Sequence, residues 1–125
     1  MKRIINTLNA PAAIGPYSQA TEANGTLYVS GQIPINPAIG KIETTGITAQ
    51  TEQVFLNIKA ILTEAGYTFA DVVKSTVYLS DMADFGGMNE VYQKYYLTDC
   101  PARAAFAVKG LPMGSLVEIE TIAAK

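Results

Sequence analysis

The stretch from Ile47 to Gly66 constrains the fold more than any other. Ile47, Thr51, Val54, Phe55, Ile58, Ile61, Leu62 and Ala65 form one stripe at helical spacing, with Gln50, Glu52, Gln53, Asn57, Lys59 and Glu64 on the other side. Gly66 stands where a C-terminal cap belongs, because glycine enters the left-handed conformation without a Cβ penalty. A helix with one apolar face has to lie on a sheet or on another helix. On either side of this helix the hydrophobic period drops to two, so the helix is expected to cover a sheet built from both halves of the chain.

Lys2 to Asn6 reads as a short strand, and Ala10 to Gln19 as a loop stiffened by Pro11, Gly15 and Pro16. Gln19–Glu22 and Thr26–Gly31 are extended runs about Ala23-Asn24-Gly25, a hairpin signal. Pro34 to Gly46 is an irregular connection with a small hairpin about Asn36–Gly40. Val72 to Ser80 alternates, with Val73, Ser75, Val77 and Leu79 on one face and Val72, Lys74, Thr76 and Tyr78 on the other. Asp84 is placed to cap a second helix through Phe85, Met88, Val91, Tyr92, Tyr95 and Tyr96, with Asn89 and Gln93 on its flank. Pro101 leads into a strand at Arg103, and a glycine-bounded turn from Gly110 to Ser115 precedes the last strand, Leu116 to Ala123.

This order predicts a single α+β domain over residues 1–125, with two helices packed on one face of a mixed sheet. The 125 residues are 49% apolar, enough for a real core. Two helices cover only one face of a sheet, yet the strands at Val72–Ser80 and Leu116–Ala123 carry apolar residues on both. The second face is therefore expected to be buried against other copies of the chain, with closed cyclic symmetry as the default.

Net charge is -2 and no run of Lys or Arg occurs, which argues against nucleic acid or an anionic membrane as partner. The chain has no histidine, so Ser-His and Cys-His pairs, histidine bases and histidine-ligated metals are excluded. Cys100 is the one cysteine and cannot form an internal disulfide, which fits a reducing compartment. No apolar run approaches the ~18 residues that span a bilayer. A soluble, cytoplasmic protein is expected.

Five positions attract chemical attention. In an extended chain Arg103 shares a face with Ala105 and Ala107, while Phe106 and Val108 point the other way and are expected to anchor the strand. A guanidinium fixed on a rigid strand offers a planar donor fork that matches a carboxylate; the plainer reading is a structural salt bridge or a solvated charge. Tyr17 ends the restricted Gly15-Pro16 segment, as a core residue or a ligand contact. Gly31 permits close backbone approach near a strand end, or simply terminates the strand. Glu118 and Glu120 share one face of the last strand with Leu116 and Ile122; such a pair is either a solvated rim or, if partly buried, a candidate acid or base.

Taken together, Ala12-Ala13-Ile14-Gly15-Pro16-Tyr17-Ser18-Gln19-Ala20, Val29-Ser30-Gly31-Gln32-Ile33-Pro34, Val77-Tyr78-Leu79-Ser80-Asp81-Met82 before Phe85, Asn89-Glu90-Val91-Tyr92, Pro101-Ala102-Arg103-Ala104 and Val117-Glu118-Ile119-Glu120 resemble the reactive-intermediate deaminase (Rid, or YjgF-type) family across essentially the whole chain. The resemblance implies a chorismate-mutase-like fold, a homotrimer with clefts between subunits, and no cofactor or metal; the expectation of no nucleic-acid or membrane partner rests on the charge pattern above. It implies hydrolysis of 2-imino acids and their 2-enamino tautomers, such as 2-aminoacrylate, 2-iminobutanoate and 2-iminopropanoate, to 2-oxo acids and ammonia. By the same resemblance Arg103 clamps the substrate carboxylate, Gly31 contacts it through its backbone, and Tyr17 lines the site. Glu118 holds and activates water, Phe85 and Asn89 shape the cleft, and the Ala105 backbone faces the imino end. Many relatives carry cysteine where this chain has Ala105, so any thiol-based regulation there is absent. The competing readings are a non-catalytic binder or sensor of small carboxylates such as 2-oxo acids, an RNA-directed activity, a chorismate-mutase-type rearrangement and a family activity in pyrimidine breakdown.

Overall fold

In the computed structural model, which describes residues 1–125, Asn24 and Gly25 both stand at positive φ (52° and 77°). That pairing makes a two-residue hairpin turn whose twist matches its strands, β2 (Ala20–Ala23) and β3 (Thr26–Gln32). They join β1 (Arg3–Ile5), β4 (Val72–Leu79), β5 (Ala102–Ala107) and β6 (Val117–Ala124) in one six-stranded sheet of order β1-β2-β3-β6-β4-β5. Only the β4–β5 pair is parallel. It needs a crossover, and helix α2 (Phe85–Tyr95) supplies it.

Helix α1 (Ile47–Ala65) connects β3 to β4 and buries Val54, Phe55, Ile58, Ile61 and Leu62. These meet Leu27, Val29, Val77, Leu79, Val117 and Ile119 from the sheet and Met88, Val91 and Tyr92 from α2 in one core. Gly66 takes the left-handed conformation (φ 85°) and closes α1 through bonds to the Leu62 and Thr63 carbonyls, as its sequence position predicts. Two cations finish that end: Arg3 donates to the Ala65 carbonyl at 3.0 Å and Lys125 to that of Gly66 at 2.6 Å. The helices sit close because Gly87 of α2 has no side chain; a Cβ there would lie 2.5 Å from the Ile47 Cγ2.

The mixed α+β architecture agrees with the sequence expectation, and four local expectations do not. A β-bulge between Val72 and Lys74 inserts one residue into β4, which reverses the alternation locally, so Val72 is buried and Val73 exposed. Asp84 makes no capping bond; Asp81 accepts from the Ala83 N–H at 2.8 Å and caps the short 3₁₀ turn Met82–Asp84 that feeds α2. Phe106 anchors nothing in the core. It is 46% exposed on the uncovered face, where its ring meets Tyr78 edge-on at 5.5 Å. Tyr28, 50% exposed, stands on the same uncovered face, opposite Ile122 of β6.

The fourth correction concerns Gln50 and Asn57, which are buried at 6% and 1% exposure instead of facing solvent. Asn57 donates to the Ile33 and Ile35 carbonyls at 3.2 and 2.9 Å, and Gln50 accepts from the Leu116 N–H at 2.8 Å. Both bond to backbone that has no sheet partner; of these groups the Ile33 carbonyl also accepts from the Ile35 N–H at 2.8 Å, and the others depend on the two amides. Replacing Asn57 by alanine leaves the Ile35 carbonyl without a donor and the Ile33 carbonyl with only the Ile35 N–H, and is expected to cost about 1–3 kcal/mol, measurable by denaturant unfolding.

Candidate active site

The register between β3 and β6 shifts between Val29, opposite Thr121, and Gln32, opposite Ile119. The extra residue of this bulge brings the Gly31 backbone directly over Glu118. A Cβ built on Gly31 would fall 2.0 Å from the Glu118 Oε2 and 2.9 Å from its Cδ. Only a residue without a side chain leaves the carboxylate where it is.

A third buried amide holds the opposite wall. Gln19, 2% exposed, accepts from the Thr7 N–H at 2.7 Å and donates to the Thr7, Ala10 and Pro11 carbonyls. The Ser30 hydroxyl donates to the Ser18 carbonyl at 2.6 Å, tying the bulge to the loop that carries Tyr17. Between these walls lies a cleft of about 560 Å³ lined by Ile14, Tyr17, Gly31, Met113, Glu118 and Glu120, among others. Tyr17 is half-exposed at its mouth, a lining residue and not part of the core.

The two carboxylates differ in their surroundings. Glu120 accepts a hydrogen bond from the Tyr78 hydroxyl at 2.6 Å, which together with burial pushes that phenol up to about 12. Glu118 has no such donor. Burial, and then the neighbouring Glu120, hold its carboxyl above the ordinary carboxylate range. A half-buried carboxylate without a fixed donor, facing open space, is equipped to exchange protons with something bound there. No lysine or arginine lines this cleft.

Arg103 lies elsewhere. On β5 it is opposite Ser75, which in turn is opposite Thr121 on β6, and both of those are buried on the helix side. Its Nη1 donates to the Asn89 Oδ1 at 2.7 Å, and its guanidinium carbon lies 4.7 Å from the Tyr92 ring centre and 5.4 Å from that of Phe85. Ala105, the next residue on this face, packs against the core. Arg103 makes no ion pair; those of the chain are Arg3–Glu22 and Lys94–Glu52. The structural salt bridge open to the sequence is not formed.

Within one chain, then, the site residues fall into two groups on opposite faces of the sheet. Tyr17, Gly31 and Glu118 gather at the cleft, while Phe85, Asn89, Arg103 and Ala105 gather at the β5 edge. The amides Gln19, Gln50 and Asn57, and the Tyr92 ring beneath Arg103, are contributors that the sequence reading passed over. Gln50, Val54, Asn57 and Ile61 do follow helical spacing, and that was the available signal. No three acidic or thiol side chains stand together as a metal-ligand set, and no helix is long and apolar enough to cross a membrane.

A family model described as Endoribonuclease L-PSP matches residues 7–125. The chain belongs to that family, the Rid family. The Rid chain is 55% identical over 125 residues to a RutC family protein of Pyrococcus horikoshii, covering 100% of this chain and 99% of that one. It is 48% identical over 123 residues to the 2-iminobutanoate/2-iminopropanoate deaminase of Mus musculus, covering 98% of this chain and 91% of that protein. The crystal structure of the Rid-family protein YyfA from Yersinia pestis matches with a TM-score of 0.97 and 48% identity, covering 100% of both chains. Gly31→Ala is expected to displace the Glu118 carboxylate from this position, a shift that a crystal structure of the variant would show. The atom displaced is the end of a flexible side chain, so the melting temperature should change little.

Proposed function

We propose that this Rid-family chain hydrolyses 2-imino acids, and 2-enamino acids after their tautomerisation, to 2-oxo acids and ammonia, without a cofactor, in homotrimers whose sites lie between subunits. The observation that carries this reading is the split just described. A half-buried carboxylate faces a cleft without a cation, and a positioned, unpaired guanidinium stands on the other face of the same sheet. Each half is chemically incomplete, and a neighbouring copy completes both. Tyr28 and Phe106, both exposed on the uncovered face, are suited to that contact.

The reaction needs little else. Arg103 receives the substrate carboxylate through its donor fork while Tyr17 and the Gly31 backbone bound the cleft. The C2 of a protonated imine is already electrophilic, so a covalent nucleophile is unnecessary. Water held by Glu118 attacks C2 as its proton passes to the carboxylate. Glu118 then returns that proton to the amino nitrogen of the carbinolamine. The C–N bond breaks, ammonia leaves with its electron pair, and the remaining hydroxyl proton is lost as the C=O bond forms. A 2-enamino acid first takes a proton at its β-carbon.

Release of ammonia and 2-oxobutanoate from freshly generated 2-iminobutanoate, followed against the spontaneous rate, tests the reading directly. An accelerated rate supports it. A background rate together with Arg103-dependent binding of 2-oxobutanoate would instead make the chain a carboxylate-binding protein.

A further inference from the structure

Phe85, Asn89 and Tyr92 follow one another at i, i+4 and i+7 on α2, so a single helix stripe meets the Arg103 side chain. Asn89 takes one guanidinium N–H, and the aromatic rings take its faces. The rings are not equivalent. Tyr92 is nearer and 6% exposed, and it is locked by Phe55 edge-on at 5.7 Å and by Tyr96 at 4.8 Å. Its hydroxyl lies near that of Ser75 in the row beneath without forming a well-oriented hydrogen bond. Packing of the ring, and not a bond from its oxygen, therefore sets its place.

We propose that Tyr92 is the positioning residue of the carboxylate clamp, its ring face holding the Arg103 guanidinium in the plane that receives a 2-oxo or 2-imino acid. The inference rests on the deaminase reading for its ligand, while the ring-on-guanidinium geometry stands independently of it. A free arginine at a strand edge samples many rotamers, and binding would have to freeze them. Stacking on a core-anchored ring orders the fork beforehand, and Asn89 sets its rotation about the stacking axis. A cation over an aromatic face contributes on the order of 0.5–2 kcal/mol, about 2- to 30-fold in affinity.

The test compares Tyr92→Phe, which keeps the ring, with Tyr92→Leu, which removes it, each alone and combined with Arg103→Ala. The readouts are binding of 2-oxobutanoate and the NMR order parameter of the Arg103 Nε–H. Tyr92→Phe should bind within about twofold of the native protein, and Tyr92→Leu about 5- to 30-fold more weakly. In the Arg103→Ala background Tyr92→Leu should have no further effect on binding, whereas a general structural defect would persist there. The order parameter should fall from about 0.8 to below about 0.6 in Tyr92→Leu. If the leucine variant does not fold, Tyr92→Met carries the same expectations. Unchanged affinity, a loss that persists without Arg103, or an unchanged order parameter overturns the proposal. If native protein binds no 2-oxobutanoate, the ligand assignment falls with the deaminase reading, and the order parameter alone decides whether Tyr92 holds the guanidinium.

Discussion

Replacing Glu118 by glutamine is expected to lower deaminase turnover by on the order of 10²–10⁴-fold, the usual contribution of one positioned acid or base. The amide keeps the shape that fits beneath Gly31 but cannot take a proton from water. In a chain separated from its neighbours, where no cation faces the cleft, the same substitution should stabilise the fold at neutral pH. Burial first, and the Glu120 charge second, raise the folded-state pKa of Glu118 above its unfolded value. The native chain thus holds this proton more tightly than the unfolded chain, and stability present below the ordinary carboxylate pKa is lost as pH rises through the raised one. Glutamine undergoes no such loss. Melting curves of the two proteins should converge at acidic pH and separate towards neutrality, with the variant the more stable. A variant that keeps its activity would remove Glu118 from the chemistry. One that is less stable at neutral pH would mean that a cation offsets the burial.

The helices, the hairpin at Asn24-Gly25, the Gly66 cap and the outward row of Glu118 and Glu120 were legible because each follows from local spacing or backbone preference. Two of the misreadings come from features invisible to periodicity, a single inserted residue and a buried polar group, which change which way a residue points. Val72 and Val73 exchanged faces through one bulge, and the bulge at Ser30–Gly31 supplied the contact with Glu118 that local sequence left open. Gln50 and Asn57 looked solvent-facing because amides usually are, yet backbone carbonyls in irregular loops must find donors somewhere. From its residue type and strand Arg103 could be an anion clamp, a structural salt bridge or a solvated charge, and the structure forms no ion pair there. That it faces away from Glu118 follows from the pairing of β4 with β5 and β6, which no single stretch of sequence encodes.

Arg103→Ala should reduce kcat/KM for 2-iminobutanoate by about 10²–10³-fold, as expected for the loss of two charge-assisted hydrogen bonds to one carboxylate. Lysine should rescue only part of this, because an ammonium keeps the charge and loses the fork. The fold should tolerate either change: Arg103 lies on an exposed edge strand, makes no ion pair, and contributes one hydrogen bond and its stacking on α2. The decisive measurement mixes two inactive proteins. In a cyclic assembly where each site takes Glu118 from one chain and Arg103 from its neighbour, random 1:1 assembly of Glu118→Gln and Arg103→Ala chains leaves about a quarter of the sites with both native residues. Co-expression of the two should therefore restore about a quarter of native activity. If both residues acted from the same chain, every site would lack one of them and nothing would be restored. Because the two side chains stand on opposite faces of one sheet, recovery would establish that neither face is complete without the next copy of the chain.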